Sequence, residues 1–527
     1  MGDAKRVRSV AVVGAGAAGA ITAAALKAEN YFERIQVFER RETPGGTWIF
    51  DSDPKPSLAI RPGRLPPDVD PPLEIPKELP QVTAPNRQER FSKTPIYNSL
   101  TTNVPDIAMC FSDRRFAYGP FAPHYVPRQY VENYFSQHKT DDLLVLNTTV
   151  EDITKLKDPS PSSSSSSSQN QNGRERWQLT LRKYDPARHV DVWWQETFDA
   201  VILANGHYSV PYIPHVPGLE EYIQKFPGRV MHSKYYRSPL PYAGKRVLVV
   251  GNSASGHDLT AELVSAAALP VLQSRRTPSR WDGAAPPPGI AWKPVIRSYL
   301  PASGRILFAD GTHADDVDVV VYCTGYKTSF PFWDGERGEN GGPLWDYGAD
   351  KLARAYWHTF FRDHATLGIV GLPRALTFRS FEYQAIALAR LFSGRNAAPL
   401  PPDAEQERWE RDRLDRVRRR GTKFHDVQWE TGETFEWLEG LFRIAGLGTL
   451  KGDGRVPPAL TEELIWAVEH VRKYPEPGKG GEGYDNEESG DAERDVVVSG
   501  EIEKAGAARD GDWVLVERQH KDLLAFI

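Results

Sequence analysis

The chain has 527 residues, 40% of them hydrophobic, enough to bury a large core spread over roughly two to four domains. Its 65 Lys and Arg against 70 Asp and Glu leave a formal net charge of -5, so no whole-chain field draws it to nucleic acid or to an anionic membrane. Two cysteines, Cys110 and Cys323, cannot build a disulfide framework and fit a reducing compartment. With no leader-like start and no apolar run of about 18 residues, the expectation is a cytoplasmic protein without a membrane span.

In chain order, residues 9–13 (Ser-Val-Ala-Val-Val) read as a strand, Gly14-Ala-Gly16-Ala17-Ala18-Gly19 as a tight turn, 17–28 as an Ala-rich helix and Ile35–Glu39 as a second strand. The three glycines stand where a sharp turn, a close approach to a pyrophosphate and helix–strand packing each exclude a side chain. Glu39, with Arg40 beside it, ends the second strand. A carboxylate there accepts hydrogen bonds from ribose hydroxyls and repels a 2′-phosphate, which favours FAD or NAD. Gly45-Gly46-Thr47-Trp48 follows, a glycine pair able to bring backbone amides against a flavin beneath a tryptophan.

Residues 51–95 are rich in proline and polar groups; Val145–Ile153 and Trp177–Leu181 alternate like antiparallel strands. Serines 162–168 mark a surface insertion over 158–175, and the Gly-, Glu- and Asp-rich residues 475–495 read as a linker to the terminal segment. A second βαβ unit opens with strand Arg246–Val250. It continues through the turn Gly251-Asn252-Ser253-Ala-Ser255-Gly256, a helix over Asp258–Ala267 and a strand over Pro270–Gln273. Where the first unit carries Glu39, this one carries Ser274-Arg275-Arg276, a hydroxyl and guanidinium groups suited to a 2′-phosphate. Two units imply two nucleotides.

Two further apolar strands, Ile202–Ala204 and Val319–Tyr322, end in Asn205-Gly206 and Thr324-Gly325, where the chain must turn sharply. Read by themselves, His232 is a core or hinge histidine, Asn103 is a turn residue, and Trp281 and Trp292 serve packing or an access route equally well.

Phe226-Pro-Gly228-Arg-Val-Met-His232-Ser-Lys-Tyr-Tyr236 resembles the fingerprint F-x-G-x-x-x-H-x-x-x-[YF] of the flavin-containing monooxygenases. Ala204-Asn205-Gly206-His207 and Cys323-Thr324-Gly325-Tyr326 resemble that family's paired crossover segments, and the likeness spans roughly residues 8 to 460. It implies an α/β fold of two nested Rossmann-like dinucleotide-binding domains. An FAD domain over 1–213 and 331–474 would hold an inserted NADPH domain over 214–330, with 475–527 a linker and tail. It also implies a reaction of the N,N-dimethylaniline monooxygenase type. NADPH reduces FAD, reduced flavin takes up O2, and a C4a-(hydro)peroxide gives one oxygen to a nitrogen or sulfur centre of a small molecule.

The resemblance links His232 to cofactor binding. It makes Tyr97–Asn103, with Thr102 and Asn103, the segment that sets an asparagine beside the flavin, and makes Phe378–Leu391, with Gln384, the helix closing the FAD domain. Baeyer–Villiger oxidation of a ketone and a non-catalytic FAD scaffold stay open as alternatives, as does a homodimer. Tyr236-Arg237 departs from the tryptophan followed by proline or aspartate that typically closes the Baeyer–Villiger fingerprint. A disulfide reductase would need two neighbouring cysteines, which this sequence lacks.

Overall fold

The computed structural model describes residues 7–53, 60–88, 90–156, 175–279, 282–446 and 452–473. Nearly all of the Ser-rich insertion, the segment 475–527 and Trp281 lie outside the described residues.

The first unit forms as its pattern demands: β1 (Ser9–Val13), α1 (Ala17–Ala28) and β2 (Arg34–Phe38). β1 is a continuous apolar run because it is covered on both faces, as central strands of parallel sheets are. It pairs in parallel with β2 (Val12 opposite Val37) and with Ala200–Leu203 (Val12 opposite Ile202). The described sheet has seven strands, ordered Ala355–Tyr356, Phe360–Phe361, His364–Ile369, Ala200–Leu203, β1, β2, Leu144–Val145. The C-terminal third of the chain thus completes a sheet begun at residue 9. Helix α1 is buried from Ala17 to Leu26, and its small side chains let Phe378–Ser393 lie closely against it.

The second unit is a separate five-stranded sheet, Val230–His232, Val319–Tyr322, Arg246–Val250, Ala268–Ser274 and Ile290–Lys293, parallel throughout. Its helix spans Ala254–Leu263, four residues ahead of the expected start at Asp258, because Ser253 at the turn is itself the N-cap. A four-stranded antiparallel sheet carries the expected pair, now Thr148–Leu156 and Arg176–Asp185. It gains Val190–Phe198 and Gln81–Thr83. The fold is mixed α/β, with one parallel dinucleotide-type sheet nested in the chain of another.

Candidate functional site

The two glycine turns are built to one plan. Gly14 N–H donates to the Phe38 carbonyl (2.8 Å), and Gly251 N–H donates to that of Ser274 (2.8 Å). Ala204 N–H donates to Val13 (2.9 Å) and Cys323 N–H to Val250 (2.8 Å). Each crossover segment therefore continues a strand beside its own turn. The turns tolerate no side chain: with φ of +108° and +115°, a Cβ on Gly14 or Gly251 would lie 2.5 Å from the Ala204 carbonyl oxygen or 2.7 Å from that of Cys323. Neither following helix is capped by a side chain at Gly16 or Ser253, so both leave N-terminal amides for an anion.

At the first turn, a Cβ on Gly46 would fall 2.7 Å from Gly16 Cα, and Gly45 N–H donates to the Ala15 carbonyl (3.0 Å). The Gly45–Trp48 segment is thereby pressed onto the mouth of the turn, with Thr47 and Trp48 half-buried and the Trp48 ring edge-on to Phe378. Ala17 and Ala18 begin α1 below it, both buried. Glu39, buried just beyond β2, accepts from Ala15 N–H (2.8 Å) and Arg41 N–H (2.9 Å), which fixes its carboxylate at the turn. Arg40 beside it is exposed. These residues fit an FAD diphosphate and ribose: a backbone cradle that any Cβ would fill, an open helix N-terminus and an anchored acceptor.

Asn103 occupies a crossing between two cores. Tyr97 and Leu100 pack with Val247, Leu259 and Cys323 of the second unit, whereas Val104 belongs to the core around α1. Buried Thr102 locks the loop by exchanging bonds with Ala122: Thr102 N–H to its carbonyl (2.8 Å), and Ala122 N–H to Thr102 Oγ1 (2.9 Å). Tyr97 OH donates to Asp258 on the helix that leaves the second turn. The half-buried Asn103 amide makes no hydrogen bond to another described residue.

The fingerprint is a set of braces. Phe226 receives the Arg229 guanidinium on its ring face, at 4.3 Å, Gly228 takes a φ of +82°, and buried Tyr236 donates to Glu262 (2.8 Å). His232 spends both ring nitrogens on backbone: Nδ1 accepts from Lys234 N–H (3.0 Å), and Nε2 donates to the Gly325 carbonyl (3.0 Å). Burial pushes it down to about 3, so the ring is neutral. His232 thus ties the crossover, with both ring nitrogens held by backbone. Gly325 also accepts from Tyr212 N–H (3.0 Å), and Thr324 Oγ1 donates to the Tyr212 carbonyl, closing the hinge. Gly206, at φ +70°, is exposed with open space around it.

Two further residues expected at the cofactors have partners within the protein. Gln384 is fully buried, accepting from Gly371 N–H (3.0 Å) and donating to Thr359 Oγ1 (3.0 Å) and the His358 carbonyl (3.2 Å). It brackets the sheet end behind Ala18. Ser274 is buried and its hydroxyl donates to the Pro294 carbonyl (2.9 Å), so it is not presented to a phosphate. Arg275 stacks on Trp292, its guanidinium carbon 3.4 Å from the ring centroid, which makes Trp292 the support of that side chain. Arg276 is exposed and forms no ion pair with a described residue. Ser253 is exposed, Ser255 half-buried and Gly256 buried against Gly251, while the Asn252 amide donates to the Thr277 carbonyl (2.9 Å). Residues 371 and 282 were not singled out from sequence; the glycine after His364–Ile369 repeats the strand-then-glycine pattern of Gly14, whereas nothing marks Asp282.

The model for the flavin-binding monooxygenase-like family matches residues 86–282 and 289–433, and one for NAD(P)-binding Rossmann-like domains matches 12–63. The chain belongs to the flavin-binding monooxygenase-like family. Among curated proteins, this monooxygenase is 29% identical over 412 residues to the flavin-containing monooxygenase FMO GS-OX5 of Arabidopsis thaliana, covering 74% of this chain and 75% of the relative. In fold it resembles S-allyl-L-cysteine S-oxygenase from Allium sativum (TM-score 0.63, 24% identity, 84% of this chain and 90% of that one). It also resembles Tmm from Pelagibacter (TM-score 0.61, 22% identity, 83% and 86%). FAD and NADPH are the cofactors that accompany the family. Cys110 and Cys323 are both buried and burial pushes both thiols up to about 12, so neither offers the thiolate that disulfide exchange needs. Among the described residues, no helix is long and apolar enough to cross a membrane and no cluster suits a metal ion.

Proposed function

We propose that this monooxygenase uses NADPH and O2 to place one oxygen atom on a nucleophilic nitrogen or sulfur centre of a small organic molecule, the second oxygen leaving as water. Residues 1–213 and 331–474 form its FAD-binding part and 214–330 its NADPH-binding part. When bound, FAD supplies the acceptance of a hydride from the nicotinamide and the activation of O2. Gly14, Gly16, Gly19 and Gly46 give the diphosphate its backbone cradle, the N-terminus of α1 at Ala17 and Ala18 faces its charge, and Glu39 accepts from the ribose. Gly251, Ser253, Ser255 and Gly256 do the same for the nicotinamide dinucleotide, and Arg276 with the stacked Arg275 answers its 2′-phosphate.

The observation that carries the reading is the crossing at Asn103. An uncommitted amide on a loop locked between the two nucleotide units can donate its N–H where the reaction develops negative charge on oxygen. Tyr236-Arg237 favours nitrogen or sulfur over ketone chemistry. Four of the five Arg237 guanidinium N–H groups donate to the carbonyls of Asp51 (2.6 Å), Tyr236 (2.7 Å), Lys234 (2.9 Å) and Thr94 (3.1 Å).

The test is NADPH oxidation by the holoenzyme, with hydrogen peroxide measured in parallel, across amines, thioethers and ketones. Amines or thioethers should accelerate oxidation with little peroxide, and kcat/KM for NADPH should exceed that for NADH by at least about tenfold. Turnover with ketones alone overturns the nitrogen and sulfur assignment; equal use of NADH overturns the 2′-phosphate site.

A further inference from the structure

An anion bound at the second site meets a rival already inside the protein. Asp282 places its carboxylate on three donors at once: Arg275 Nη1 (2.6 Å), Ser279 N–H (2.7 Å) and Asn252 Nδ2 (3.0 Å). Asn252 belongs to the glycine turn, and Arg275 follows the strand that faces it. The carboxylate side chain is only 6% exposed and the guanidinium it holds 19%. Arg275 remains stacked on Trp292, so its plane is fixed while one edge is occupied. Of Ser274, Arg275 and Arg276, only Arg276 is left without a partner among the described residues.

We infer that Asp282 is a specificity-determining residue of the dinucleotide site, an internal carboxylate that occupies the anion position on Arg275 and weakens binding of a 2′-phosphate. The inference rests on the NADPH reading above. A carboxylate and a phosphate are both anionic oxygen acceptors for one guanidinium fork, and a like charge this close disfavours the second anion. An incoming 2′-phosphate must therefore either displace Asp282 from Arg275 or bind beside it through Arg276. In both cases the carboxylate lowers its affinity. A nucleotide lacking the 2′-phosphate meets no such competition, because it brings no second anion to Arg275. Asp282 thus narrows the gap between the phosphorylated and unphosphorylated dinucleotides.

Calorimetric binding of 2′,5′-ADP and of 5′-AMP to the FAD holoenzyme tests this without turnover. Wild-type protein should prefer 2′,5′-ADP. Asp282→Asn keeps the shape and should tighten 2′,5′-ADP by about tenfold while leaving 5′-AMP within about twofold, and Asp282→Ala should act in the same direction. If both variants bind 2′,5′-ADP no better than wild type, or more weakly, Asp282 is a bracket that holds Arg275 in place and the inference is overturned. Equal wild-type affinity for the two probes would instead remove the 2′-phosphate site, and the role of Asp282 with it.

Discussion

Asn103 is the residue on which coupling should turn, because its neighbours are committed and it is not. Thr102 is tied to Ala122 and Tyr97 to Asp258, whereas the Asn103 amide makes no hydrogen bond to another described residue. In Asn103→Ala the cradle residues are untouched, so FAD content and NADPH oxidation should persist. Loss of one aimed donor costs about a hundredfold or more in the step it serves. Most of the NADPH consumed should then appear as hydrogen peroxide rather than oxygenated product, read as the ratio of the two per NADPH. Fully coupled turnover would remove the role. At this scale the sequence was legible wherever backbone geometry decides: Gly14, Gly16, Gly19 and Glu39 stand where spacing put them. It misled where a polar group's partner lies far along the chain. Ser274 and Gln384 have the chemistry for a ligand but spend it on Pro294 and on Gly371, Thr359 and His358. Such pairings depend on which strands meet.

Helix α1 is the element that joins the N-terminal turn to the C-terminal part of the sheet. At its C-terminus, Glu29 pairs with Arg390 (2.6 Å) on the helix Phe378–Ser393 and with Arg395 (3.1 Å). Glu29 and Arg390 side chains are each 1% exposed. Removing one partner of such a pair strands the other charge out of water, and Arg390 has few alternatives beyond the Arg455 carbonyl. Glu29→Ala should lower unfolding free energy by about 3 to 5 kcal/mol in denaturant titration of the holoenzyme, whereas a loss below about 1 kcal/mol would show that water or rearrangement replaces the pair. The elements of the two βαβ units were readable from their apolar runs. Val190–Phe198 was not, because Asp191 occupies an inward position: it is buried against Arg182, which breaks the alternation a strand should show. The docking of α1 on a helix more than three hundred residues later leaves no local mark.

Across the whole molecule, half-buried His207, whose ring nitrogens are covered, and buried His232, His358 and His425 set a common response to acid. Burial pushes His207 and His232 down to about 3, and holds His358 and His425 well below the ordinary imidazole value. His358 and His425 face each other through their Nδ1 atoms (2.9 Å), and Leu352 N–H donates to His425 Nε2 (3.0 Å). That arrangement requires both rings neutral, since a second proton would leave two donors opposed. Together they sit at the hinge between the units and in the packing behind the larger sheet. In the unfolded chain each would take a proton near pH 6.5, while the folded protein refuses it until far lower. The unfolded state therefore binds more protons throughout the interval below about pH 6.5, and stability rises with pH there. Stability should be complete above that value and fall on acidification, each such histidine adding a slope of up to about 1.4 kcal/mol per pH unit. Urea unfolding of the holoenzyme between about pH 5 and 8 should show a midpoint that is level at the upper end and declines below about 6.5. Substituting His358 by Gln should make that decline shallower, because one proton-refusing site is gone; a midpoint independent of pH across the window would mean that these rings titrate normally in the folded protein.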